Sequence, residues 1–108
     1  ATFQPITDIP IPPGTILDAQ NSLILGTGDQ WTGRLVININ KSHSEAFALY
    51  TTQMPQFGWK PIASVQSGTS LLPFIRGNRA TTIEILDSRA ISGVLVRITM
   101  TPQAQKIN

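Results

Sequence analysis

Catalysis by this chain of 108 residues would have to draw on one histidine, six acids and no cysteine. Without thiolates, and with a single imidazole, cysteine-ligated zinc, thiol catalysis and multi-histidine relays are all excluded. His43 falls in the first turn of a predicted helix and is expected to be exposed. A charged imidazole there opposes the helix dipole, and no catalytic partner lies near it in sequence. The acids are Asp8, Asp18, Asp29, Glu45, Glu84 and Asp87. None stands in a D-x-D or E-x-x-H spacing, so no calcium loop or carboxylate metal site is indicated. Serines lack the G-x-S-x-G elbow of a hydrolase. Gly26, Gly28 and Gly33 miss the dinucleotide-loop spacing, and no lysine follows them to hold a phosphate. The one route left to an enzyme is a pair of acids that folding alone brings together. The chain reads as non-enzymatic, with no cofactor and no metal.

Binding has better candidates. Trp31, Phe57 and Trp59 could stack on a sugar or a base. Phe57 and Trp59 flank a predicted helix-to-strand turn and are expected to plug the end of a core. Trp31 sits in the turn-rich stretch "GTGDQWTG" and is the better candidate for an exposed aromatic at a hairpin tip, a partly packed loop tryptophan being the equal alternative. Arg76 and Arg79 bracket another turn and could receive an anion, so Trp31, Arg76 and Arg79 form the candidate interaction surface. Basic residues otherwise occur singly, and the net charge is only +2. No run of them makes a nucleic-acid or membrane footprint.

The elements that must position these residues are well marked in places. Hydrophobic residues at 41% and charged residues at 13% define one folded domain with an unusually uncharged surface. Residues 1–20 form a proline-rich lead-in arm carrying four of the eight prolines, with pairing at a sheet edge near Ile16 and Leu17. A single α+β domain spans 21–101, and 102–108 is a C-terminal tail. "SLILGT" and "TGRLVININ" read as strands, the second by its period-two alternation of Leu35, Ile37 and Ile39. Ser42, His43, Ser44 and Glu45 spell a capping box that opens a helix over 43–55. Ala46, Phe47, Leu49, Tyr50 and Met54 make its apolar stripe. Pro55 then disturbs the last turn, and Gly58 takes a left-handed closing conformation before Trp59.

Four strands follow: "WKPIASVQ", "TSLLPFIR", "RATTIEIL" and "VLVRITM". Turns are expected at "SG" (67 and 68), "GN" (77 and 78) and "DSRAISG". Pro61 and Pro73 each remove a ladder donor, which demands an edge, a bulge or an outward-facing amide. The fold class is therefore α+β, a single amphipathic helix packed on one face of an antiparallel sheet, in the order β-β-α-β-β-β-β. A ferredoxin-like split needs a second helix, and 80–100 is too β-branched to supply one.

The layout "DIPIPPG", "WTGRLVI", a helix "SHSEAFALY" ending in "MPQFGW", then "LLPFIRGNRATTIEI" resembles small bacterial envelope proteins, often lipoproteins. In those, an aromatic-rich helix ends in Gly-Trp before a meander. The resemblance covers most of 8–100 and is one of layout rather than of an active-site signature. It implies a periplasmic or outer-membrane-associated module that works by protein contacts with another envelope protein. Any contact with the membrane would run through a lipid anchor upstream of Ala1. The alternative is a small-ligand domain for glycans or anions, using Trp31 or the Arg76 and Arg79 pair.

Overall fold

Strict alternation along four strand segments produces a sheet with two unlike faces, and the helix covers only one of them. The computed structural model describes residues 6–26, 28, 30–62, 69–87 and 93–101. Its elements are β1 (Ile16–Leu17), β2 (Leu23–Leu25), β3 (Thr32–Ile39), α1 (His43–Gln53), β4 (Lys60–Pro61), β5 (Thr69–Arg76), β6 (Arg79–Asp87) and β7 (Val94–Thr101). All pairings are antiparallel, in the order β1-β3-β7-β6-β5-β4, and β2 joins β1 on the outer edge of β3. The α+β class with one helix on an antiparallel sheet is as the sequence indicates. Beyond the expected order stands β1, the edge pairing foreseen near Ile16 and Leu17.

Register sets the covered face. Leu35 pairs with Ile98, Ile98 with Ile83, and Ile83 with Leu72, so one row of aliphatic side chains crosses four strands. All four are buried, together with Ile37, Val96 and Ile85 in the next row. Each such side chain contributes about 1.5–3 kcal/mol on burial. Ala46 and Tyr50 of α1 and Met54 just after it seal this face, with Phe47 and Leu49 partly buried beside them. The Tyr50 hydroxyl makes no hydrogen bond to the described residues, and burial pushes its pKa upward.

The capping box forms as read: the Glu45 amide donates to Ser42 Oγ at 3.1 Å and the Ser42 amide to Glu45 Oε1 at 2.9 Å. That exchange also holds the Glu45 carboxyl below its usual range. The helix stops at Gln53, two residues short of the sequence reading. Pro55, which has no N–H, instead starts a 3₁₀ turn over Pro55–Phe57. Gly58 ends that turn with φ at 91°, as a left-handed closing residue.

Two local solutions keep the sheet intact at its weak points. A 3₁₀ turn at Ala19–Asn21 separates β1 from β2, and there Ser22 Oγ takes over the missing ladder position. It accepts from the Val36 amide at 2.8 Å and donates to the Asp18 carbonyl at 2.7 Å, while the Asp18 amide donates to the Val36 carbonyl at 2.9 Å. Pro73 lies inside β5, yet its carbonyl accepts from the Ile62 amide, so its absent N–H falls on the β4 side and not on the β6 ladder. The expected turn at 67 and 68, most of the turn after Asp87, the tail, and the part of "WKPIASVQ" beyond Ile62 lie outside the described residues.

The N-terminal segment departs from its reading as a lead-in arm. Ile6, Asp8 and Ile9 are buried with the core residues, because Asp8 is bound from three other parts of the chain, as described below.

Gly33 is the tightest backbone contact on the β3 edge: a Cβ there would lie 2.0 Å from the Leu23 carbonyl oxygen, and φ is +122°. At Gly58 a Cβ would meet only the flexible Arg76 side chain at 3.1 Å. Gly58→Ala is therefore expected to lower stability by about 1–2 kcal/mol through its positive φ alone. Gly33→Ala should lose clearly more, because β2 must move off β3. Urea denaturation midpoints compare the two, and equal losses would show that the β2–β3 approach is not tight.

Candidate functional site

The residues named from sequence do meet, but inside the protein. Trp31, expected at an exposed tip, has 0% of its surface accessible. Its indole N–H donates to Asp8 Oδ1 at 2.8 Å, while Arg79 Nη1 pairs with Asp8 Oδ2. Arg79 Nη2 donates to the Trp31 carbonyl at 2.8 Å, and Trp59 Nε1 donates to the Asp8 carbonyl at 2.8 Å. The guanidinium groups of Arg76 and Arg79 lie 5.1 and 5.7 Å from the centre of the Trp59 ring, within cation–π range. Arg76 Nη1 also donates to the Phe57 carbonyl at 2.9 Å.

The expectation of an exposed Trp31 is therefore corrected, and the reason is a buried acid. A carboxylate that is 2% exposed needs opposite charge and hydrogen bonds around it, and Trp31 and Arg79 supply them. Arg76 and Arg79 do come together around Trp59, as a pair engaged in packing. Sequence reasoning missed Asp8 as the centre of this knot. The available signal was an acid flanked by Ile6 and Ile9, two apolar residues that themselves go inside.

His43 is half-buried and not simply exposed: its Nε2 lies 2.7 Å from Ser70 Oγ. A serine beside an imidazole suggests a nucleophile and its base, but Ser70 is 0% exposed on the covered face of β5. The contact joins the start of α1 to the sheet. Asp18, Glu45 and Glu84 are engaged as well. Asp18 accepts from the Asn21 amide at 3.3 Å and from Asn21 Nδ2 at 2.8 Å. Among the described residues, no three acids or histidines gather where a metal ion could be held.

What the described structure leaves open is the second face of the sheet. Along β3 this face carries Arg34, which is exposed, Asn38, which is half-buried, and Val36, which is only 4% exposed, and register carries these rows outward. Leu23, Arg34, Thr99, Thr82 and Pro73 form one row; Val36, Arg97, Glu84 and Leu71 form the next. At the centre Arg97 Nε and Nη2 donate to Glu84 Oε1 and Oε2 at 2.7 and 3.0 Å, a bidentate pair. Those bonds hold the Glu84 carboxyl below its usual range and raise Arg97. At one margin Ile16, Leu23 and Leu25 are 61, 59 and 57% exposed; at the other Leu71 and Ile75 are 38 and 41% exposed. Two depressions lie on the β2 side. One of about 330 Å³ is lined by Asp18, Asn21, Arg34, Val36, Leu95 and Arg97. The other, about 420 Å³ and mainly apolar, is lined by Leu23, Leu25, Thr32, Arg34 and Thr99 among others.

Fold and site together define a single-helix α+β module with one sealed and one uncovered sheet face. Comparison with protein families, with curated proteins and with solved structures finds no match to the chain.

Two tests address this geometry. Asp8→Ala and Arg79→Met are each expected to lose about 3–5 kcal/mol, since each leaves one charge without its partner. The double variant should lose less than the sum, and tryptophan emission should shift to the red in both single variants. Additive losses would mean that the two groups act independently. Acid titration checks the open-face pair. The pKa of Glu84 is lowered by folding, so its contribution is present above the ordinary value of 4.5 and is lost as pH falls below it. Glu84→Gln is expected to flatten the fall in stability below that pH.

Proposed function

We propose that this chain is a non-enzymatic module of the bacterial cell envelope that docks a partner protein on the uncovered face of its sheet. The observation that carries the reading is the exposure of Leu23 and Leu25, neighbours on one face of β2, with Ile16 exposed further along the same margin. They rim a face whose centre is a neutral ion pair. Aliphatic side chains grouped in this way on a sheet face, rather than scattered singly, are characteristic of contact surfaces. The envelope assignment, with a periplasmic or outer-membrane-associated position, rests on the layout shared with small envelope lipoproteins.

A glycan- or anion-binding role through Trp31 or the Arg76 and Arg79 pair has less support. Trp31 is enclosed, and Arg79 is committed to Asp8 and to the Trp31 carbonyl.

A photo-crosslinking amino acid placed at Leu23 or Leu71, with Thr51 on the outer side of α1 as the control, tests the reading in the source bacterium. Crosslinks to a discrete envelope protein are expected from the two sheet positions and not from Thr51. Equal crosslinking from all three, or none from the sheet, would overturn the docking face. Leu23→Ser with Leu25→Ser should abolish the crosslink from Leu71 and change stability by only about 0.5 kcal/mol per site.

A further inference from the structure

Residues 6–11 are held much as a separate peptide would be. Ile6, Asp8, Ile9 and Pro10 are buried. Yet among the described residues the only backbone-to-backbone hydrogen bond made by this segment runs from the Thr7 amide to the Gly28 carbonyl, at 3.3 Å. The rest of the grip comes from side chains. Trp31 and Arg79 take the Asp8 carboxylate, Trp59 takes the Asp8 carbonyl, and Ile6 and Ile9 pack in the core. No member of that receiving set is closer to Asp8 than 23 residues along the chain.

The connection from this segment to β1 is lightly held. It turns at Pro13 and Gly14, both exposed. Pro12 and Pro13 have no amide donors, and among the described residues the turn is closed only by Thr15 Oγ1, which donates to the Pro12 carbonyl at 2.6 Å. Gly14 has a φ of +80°, and a Cβ there would meet nothing within 4 Å. Turning that one residue to an extended conformation straightens the connection before the first strand pairing, at Ile16, is reached. Just beyond it, Ile16 and Leu17 are 61 and 37% exposed on the outermost strand of the sheet.

We infer that residues 6–11 exchange between two copies of this chain, so that Asp8 of each copy sits against Trp31, Trp59 and Arg79 of the other. This goes beyond the docking reading and does not depend on it. An exchanged segment makes the same buried contacts in its new host, so the costs are the pairing of two chains and the opening of two hinges. A segment that only swung out would leave Arg79 without its carboxylate and both tryptophans uncovered, which drives release towards exchange rather than towards an open monomer. The prolines favour the same outcome, because a stiff, extended tether keeps the freed segment from folding back at once. The straightened connection runs directly into β1, so the two copies meet beside Ile16 and Leu17.

Two glycine variants of the full chain test the hinge. Gly14→Ala and Gly77→Ala each place a methyl group in open space at a positive φ, 80° and 60°, but only residue 14 lies in the hinge. An extended residue 14 accepts alanine freely. Each closed turn is therefore disfavoured about tenfold, and a dimer with two opened hinges is favoured about a hundredfold. Sedimentation over a concentration series should show that gain for Gly14→Ala over the unsubstituted chain, and none for Gly77→Ala. A Gly14→Ala protein that stays monomeric at millimolar concentration overturns the inference, as do dimers equally abundant in both variants.

Exchange itself is read from mixed chains. Asp8→Ala and Arg79→Met each keep one unmatched charge when alone. An exchanged pair of the two joins the intact Asp8 to the intact Arg79 and leaves the second site with neither charge. Refolded together from urea, they should give a mixed dimer at least about tenfold more abundant than either homodimer by native mass spectrometry. A statistical mixture would mean closed chains paired surface to surface, and would overturn the exchange. Where the mixed variants do not fold, the comparison of Gly14→Ala with Gly77→Ala decides.

Discussion

A carboxylate enclosed at 2% exposure governs how this protein is put together. An isolated charge in such a place costs several kcal/mol even after the surroundings relax, so every group that could compensate it is drawn to Asp8. Trp31 is pulled in from the end of the β2–β3 hairpin, Trp59 from the end of the helix, and Arg79 from the β5–β6 turn. These three sites are far apart in sequence and belong to different elements. Their common contact gives the open end of the core a fixed closure, where aliphatic packing alone would accept several arrangements. The two arginines around the Trp59 ring complete that closure from the outside.

With one end fixed and one face sealed by α1, the described residues leave the second face of the sheet open. That face is not an ordinary solvated surface. Its middle row places Val36, Arg97, Glu84 and Leu71 in line, and the charged members satisfy each other.

Much of the fold was legible because it rests on local chemistry. The capping box of Ser42 and Glu45, the helix stripe, the Gly77 and Asn78 turn and the alternation in β5, β6 and β7 all depend on neighbours within a few residues. The closing conformation of Gly58 follows from the same short-range logic. What the sequence did not disclose depends on distance along the chain. Trp31 lies 23 residues from Asp8, Arg79 lies 71 residues from it, and Ser70 lies 27 residues from His43. An aspartate in a proline-rich run has the composition of a loop, and a tryptophan among glycines has the composition of a tip. Only the meeting of the two makes either of them core.

The order of Asp8 and Arg79 along the chain has a bearing on biosynthesis. The segment that carries Asp8 is made before its ionic partner Arg79, which is 71 residues further on. At 5–20 residues per second the ribosome needs about 4–14 s to reach that arginine. During that interval the carboxylate stays hydrated, and the prolines at 10, 12 and 13 hold the adjoining chain extended, away from premature hairpins. The β5–β6 turn must then emerge before the early segment can be enclosed. For this stretch, the order of synthesis and the order of placement run in opposite directions.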